Sequence, residues 1–196
     1  MRTEWKSSLV LLLASSLAFA HPGHGLDGFT HGFYHPLQGA DHLITALAVG
    51  VWGAMLGGSA LFAFPVTFVL AMGVGSLLGL GGQALPFHEL GILFSVALLG
   101  LALCLSIRIP VSLALPILAL FASFHGNAHG IEMHSGISAM NYVLGFALST
   151  AGLHFAGIAV VLFMKKVFRD DTVQLGIRLL GIASLVSAGL MNFGIL

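Results

Sequence analysis

Charge is what this sequence has least of. Asp, Glu, Lys and Arg together make up 7% of its residues, against 58% that are hydrophobic. A soluble domain carries roughly 25% charged residues. So little charge cannot cover a water-facing surface, and the composition points to an integral membrane protein. Cysteine is almost absent as well. Cys104 stands alone in an apolar run, which excludes a disulfide framework and any CxxC metal site. The net charge is zero and there is no basic block, so nucleic acid is not an expected partner. No P-loop pattern occurs, so the chain does not itself hydrolyse ATP. What the sequence does have is histidine: ten residues, more than its seven acids.

Residues 1–20 read as a secretory signal. Arg2 and Lys6 form its basic end, Leu9–Leu13 begins a short apolar core, and Ala18-Phe19-Ala20 is a small-x-small cleavage site. Cleavage there makes His21 the new N-terminus. Residues 21–34 then form an extracytoplasmic His-rich segment, in which the terminal amine and His21 offer a weak metal grip. A flexible polar tail explains the same residues. Residues 35–196 read as a transmembrane domain with six apolar segments, at about 36–56, 60–82, 89–107, 110–129, 139–164 and 173–194. Each is near the ~20 residues a helix needs to span. The expected fold is therefore all-α, a six-transmembrane-helix bundle after a cleaved signal peptide. Short connections favour antiparallel neighbours. Arg108 and the Lys165–Arg169 loop mark the cytoplasmic side, so both mature termini lie outside the cell membrane.

In that topology the polar residues crowd the outer end. His35-Pro36-Leu37-Gln38-Gly39-Ala40-Asp41-His42 opens the first segment, with Pro36 suited to a first helical turn. A helix starting at His35 carries Asp41 and His42 nearly two turns inward. A carboxylate buried there costs about 2.5–3.5 kcal/mol, which a metal ion or a cationic partner must offset. On one straight helix His35 and His42 share a face but stand roughly 10 Å apart. His125 and His129 close the fourth segment at i and i+4, a spacing that lets two imidazoles grip one ion. Matching depths puts His35 level with Glu132 as an outer stage. Asp41, His42, His125 and His129 then form an inner stage. Segments one and four should touch, with His42 beside His125 and with Gly39, Gly126 and Gly130 allowing the approach. A satisfied polar network that fixes helix packing is the alternative for Asp41, His42, His125 and His129. His88 and His154 are further candidate ligands, one equally an ordinary helix start and the other equally a packed histidine. His31 and His134 read as solvated loop residues, and Gln38 and Asn127 as path lining or polar packing. Imidazole and carboxylate donors without thiolates suit Ni(II), Co(II) or Zn(II).

The motifs HPLQGADH at 35–42 and FHGNAHGIE at 124–132 resemble the signatures of the HupE/UreJ family of nickel/cobalt permeases. The resemblance covers essentially the whole mature chain, and both motifs stand without gaps. It implies secondary uptake of Ni(II) or Co(II) across the inner membrane, linked to hydrogenase or urease maturation. It assigns function to His35, Asp41, His42, His125, His129 and Glu132, with the metal as substrate and no resident cofactor or catalysis. Two other readings compete. A b-type haem subunit could take His125 or His129 with His154 as axial ligands. A membrane metalloenzyme would hold the metal for catalysis, although no HExxH motif is present. If the signal is cleaved as read, N-terminal sequencing of the membrane-extracted protein returns His21 as its first residue. Recovery of Met1 refutes the signal.

Overall fold

The structure is a computed structural model that describes residues 28–133 and 138–193. The signal sequence, His21 and His134 lie outside the described residues. Seven helices follow in order: α1 (Gly28–Gln38), α2 (Ala40–Leu56), α3 (Ala60–Leu80), α4 (His88–Cys104), α5 (Val111–Glu132), α6 (Ala139–Val167) and α7 (Asp170–Asn192). The chain is thus all-α among the described residues. Four helices, α3, α5, α6 and α7, are long and apolar enough to cross a membrane. A fifth span results if α1 and α2, bent by 82° at their junction, count as one. Helix α4 is apolar but has 17 residues. The faces away from the bundle carry large apolar side chains, among them Phe62, Leu70, Leu148 and Phe163. Buried histidine, serine and threonine lie inside. This arrangement suits a multi-pass membrane protein, in which polar groups turn inward.

The first segment departs from the straight helix expected of it. Pro36 sits in the last turn of α1 rather than in a first turn, and the chain breaks at Gly39, whose backbone is extended (φ −94°, ψ 120°). Glycine is a poor helix-interior residue, so an interruption there is cheap. The break places Asp41 in the first turn of α2, where the positive end of the helix dipole favours a carboxylate. That replaces the two-turn burial anticipated for it. A Cβ on Gly39 would lie 2.8 Å from Asp41 Oδ1 and 3.0 Å from His42 Nδ1, so any larger residue there would make those two side chains shift. Residues 28–34 are not loop: they form most of α1, and Gly28 and Gly32 sit directly on the backbone of Ser138 and Tyr142 in and beside α6.

Sequence neighbours are not the main packing partners. The most extensive contacts join α3 to α5, α1 and α2 to α6, and α4 to α7. Helices α3 and α5 run parallel, because Gly126 lies on Met72 while Gly130 lies on Ser76 and Leu80. Gly75 on α3 answers with a contact to Ser123. Small residues facing one another let the two backbones touch, and Ser76 Oγ donates to the Gly126 carbonyl at 3.0 Å. Gly126 and Gly130 therefore serve the α3–α5 seam, not an approach of segment four to segment one. The ends are tied by side chains. Trp52 Nε1 donates to the Ile107 carbonyl (3.1 Å), and Lys165 Nζ to the Ala54 carbonyl (2.9 Å). These bonds gather the ends of α2, α4 and α6 beside the basic residues, away from the histidine cluster. Asn127 does the same at the other end: its amide donates to the Gln83 carbonyl and accepts from Leu85 N–H, both at 2.8 Å. That residue is a loop anchor, the packing alternative read for it.

A side chain at Gly126 would overlap the Met72 carbonyl. Gly126→Val should force the α3–α5 seam apart at a cost of about 1–3 kcal/mol or more. The expected result is a lower thermal unfolding midpoint and reduced accumulation in membranes, whereas Gly73→Val, with open space around it, should leave both unchanged.

Candidate metal centre

The site begins with the junction at Gly39. The 82° bend turns the end of α1 back over the start of α2, and the rings of His35 and His42 come to 6.0 Å between centroids. On a straight helix they would stand roughly 10 Å apart. Helix α5 supplies His125 and His129, each 1% exposed. His129 is central: its ring lies 4.6 Å from His35, 4.4 Å from His42 and 4.9 Å from Phe146. His42 also lies 5.1 Å from His125. Helices α2 and α5 meet through these side chains rather than along their backbones, because the glycine face of α5 is taken by α3. Glu132, one turn beyond His129, brings Oε2 to 3.7 Å from His35 Nε2. One donor atom from each of His35, His129 and Glu132 falls within 4.8 Å of the others. An outer and an inner stage were expected, without a decision on whether they are distinct. The geometry joins them, since His129 touches both His35 and His42.

Hydrogen bonds decide which nitrogens keep a lone pair. His42 Nδ1 is 2.8 Å from Asp41 Oδ2. A carboxylate only accepts, so Nδ1 carries the hydrogen and a neutral ring keeps its lone pair on Nε2. That Nε2 is buried without a hydrogen-bond partner among the described residues. Asp41 thus stands behind His42 and orients it, the carboxylate–histidine arrangement that tunes metal-ligating imidazoles. His125 is held on its other side. Ser95 Oγ donates to the Ile92 carbonyl at 2.6 Å and lies 2.7 Å from His125 Nε2. A hydroxyl has one hydrogen. With it spent on Ile92, Nε2–H of His125 donates to Ser95, and Nδ1 is the free acceptor. His129 Nδ1 is buried without a hydrogen-bond partner among the described residues. A neutral imidazole with an uncommitted lone pair is the state a divalent metal requires.

A cavity of about 400 Å³ lies beside the cluster, lined by Asp41, His42, Glu89, Glu132 and, from α7, Met191 and Asn192. His88, read as a candidate ligand, points elsewhere: its Nδ1 lies 3.3 Å from the Leu85 carbonyl, and its neighbour Glu89 reaches the cavity. His31 is no loop residue. It sits in α1 with its ring 5.8 Å from Tyr142. His154 lies apart from the cluster, its ring edge-on to Phe68 at 5.1 Å. Ser95 and Phe68 escaped the sequence reading because both fall within apolar runs, where periodicity marks them only as packing.

The profile of the HupE / UreJ protein family matches residues 9–191, a stretch that holds every residue of the cluster. The chain belongs to the HupE/UreJ family. Protein HupE of Rhizobium leguminosarum bv. viciae is similar: 40% identical over 154 residues, 79% of this chain and 81% of that protein. No solved structure matches. Membership of the HupE/UreJ family and the His35–His129–Glu132 group, anchored on buried His129, together support a metal-handling transport function. If Ser95 holds His125 as described, Ser95→Ala should weaken divalent-metal binding by roughly tenfold, the usual size of such orienting effects. Isothermal titration of the detergent-solubilised HupE/UreJ protein checks this. Unchanged affinity in the folded variant removes the role of Ser95.

Proposed function

We propose that this protein is a secondary transporter, a permease or facilitator, that takes up divalent transition-metal ions, Ni(II) or Co(II), across the inner membrane. Zn(II) fits the same donors. The observation that carries this reading is the pair of buried imidazole nitrogens, His42 Nε2 and His129 Nδ1, which have no partner among the described residues and stand on rings 4.4 Å apart. Each lost its hydrogen bonds to water on burial, at about 1–3 kcal/mol, and a passing cation restores them. In this mechanism the ion enters through the cavity lined by Asp41, Glu89 and Glu132, whose carboxylates attract it. It sheds water onto His35, His129 and Glu132, then passes to His42 and His125. Asp41 does not surrender His42 Nδ1–H but holds the ring in its ligating tautomer. The donor set has oxygen and imidazole nitrogen but no thiolate, which favours Ni(II), Co(II) and Zn(II) over copper(I).

The topology that goes with this reading has six spans: the bent α1–α2 pair, the shorter α4, and α3, α5, α6 and α7. A cleaved signal and both mature termini outside the cytoplasm complete it. The cluster then faces the exterior, and Arg108, Lys165 and Lys166 face the cytoplasm. The protein moves its metal without transforming it, and the family relationship suggests supply to hydrogenase or urease maturation. A haem subunit is less compatible with the geometry. The Phe68 ring lies 5.9 Å from His125 and 5.1 Å from His154, so it fills the slot a porphyrin between them would need.

Metal accumulation by cells expressing the chain, measured across several metals by mass spectrometry, tests the proposal. Ni(II) or Co(II) should rise well above the empty-vector control. Asp41→Asn should lower uptake at least tenfold, because a neutral amide no longer fixes the His42 tautomer or attracts the ion. His35→Ala should lower it less, since His129 and Glu132 remain. Normal uptake by folded, membrane-inserted Asp41→Asn overturns the reading.

A further inference from the structure

The polar residues continue inward beyond the outer histidines. Below His42, His125 and His129 lies a cavity of about 10 Å³ whose remaining wall includes Thr45, Phe68 and Thr150. That is about the room one water molecule needs. Thr45 lies one turn inward of Asp41 and His42 on α2, is 2% exposed, and its Oγ1 has no hydrogen-bond partner among the described residues. His154 lies one turn beyond Thr150 on α6, so the two share a face. It is 0% exposed, and neither ring nitrogen has a partner among the described residues. Phe68 stands between the levels, with its ring 5.9 Å from His125 on one side and 5.1 Å from His154 on the other.

Nothing in the packing of His154 calls for an imidazole. Its ring sits edge-on to an aromatic face (interplanar angle 87°), a contact that Leu or Phe would make without burying two polar nitrogens. Position 154 therefore carries a desolvation penalty with no structural return, and a fully buried lone pair without a partner among the described residues is a ligand in waiting. A single imidazole binds a divalent ion weakly. An inner site on a transport path needs that property, because the ion must also leave.

We propose that His154 forms an inner station for the transported ion, reached from the outer histidine cluster through the small cavity lined by Thr45 and Thr150 and past the Phe68 ring. The station rests on the transport reading given above and extends it inward. The test uses the full chain in proteoliposomes, with Ni(II), Co(II) and Zn(II), each supplied singly, as the probes for uptake. Ni(II) titration and thermal unfolding follow in detergent. His154→Leu keeps the volume and removes the donor. It should unfold no earlier than the wild type, bind Ni(II) at the outer cluster within about twofold of wild type, and lose at least tenfold in uptake rate. Thr45→Val is isosteric and should lose several-fold. Wild-type uptake by folded His154→Leu overturns the station and leaves the outer cluster standing. Equal losses of affinity and uptake also overturn it, because His154 would then belong to the outer site. Should His154→Leu fail to fold, Thr45→Val decides: a several-fold loss with intact binding supports the station, and full uptake overturns it. Failure of the wild type to move any of Ni(II), Co(II) or Zn(II) overturns the transport reading, and the station with it.

Discussion

An imidazole nitrogen taken out of water must find a partner, and the rest of this structure is arranged around nitrogens that have found only half of theirs. Asp41 takes one side of His42 and Ser95 takes one side of His125. The opposite nitrogen of His42 has no partner among the described residues and is left to whatever enters. In a low-dielectric interior each such atom is expensive, so the fold must hold the rings firmly enough to keep them from turning to backbone carbonyls. That is the work of the aromatic neighbours Phe146, Tyr142 and Phe68, which wall the cluster.

Backbone-level contacts supply the rigidity. The α3–α5 seam is built from glycines whose missing side chains are occupied by the facing helix. It fixes the rotation of α5 and hence the direction of His125 and His129. The Gly39 junction fixes the other half. Without the bend, His35 would stand above His42 on one straight face, too far to share an ion with it. With the bend, α1 lies on α6 and returns His35 to the level of His129. Few charges are needed, because the placement is set by shape rather than by ion pairs. The described ion pair of Arg169 with Asp171 is exposed and contributes little.

The membrane class, the helical fold and the identity of the cluster were legible in the sequence by itself. Scarce charge and long apolar runs determine the environment. The i, i+4 pair at His125 and His129 and the octet at 35–42 are local patterns, and a helix converts local spacing into a shared face without help from the rest of the chain. Depth matching across antiparallel spans correctly put His35 near Glu132 and His42 near His125. The tertiary structure alone decided what depends on rotation and on partners far apart in sequence. Gly39 reads as a packing residue until the chain around it bends. The pairing of Asp41 with His42 Nδ1 is invisible until the fold brings the two side chains together. Ser95 and Phe68 carry no signal, since a lone serine or phenylalanine in an apolar run has the same periodicity whether it faces lipid or a histidine. Parallel packing of α3 on α5 was equally hidden, because glycine spacing shows that a helix can be approached closely but not by which neighbour.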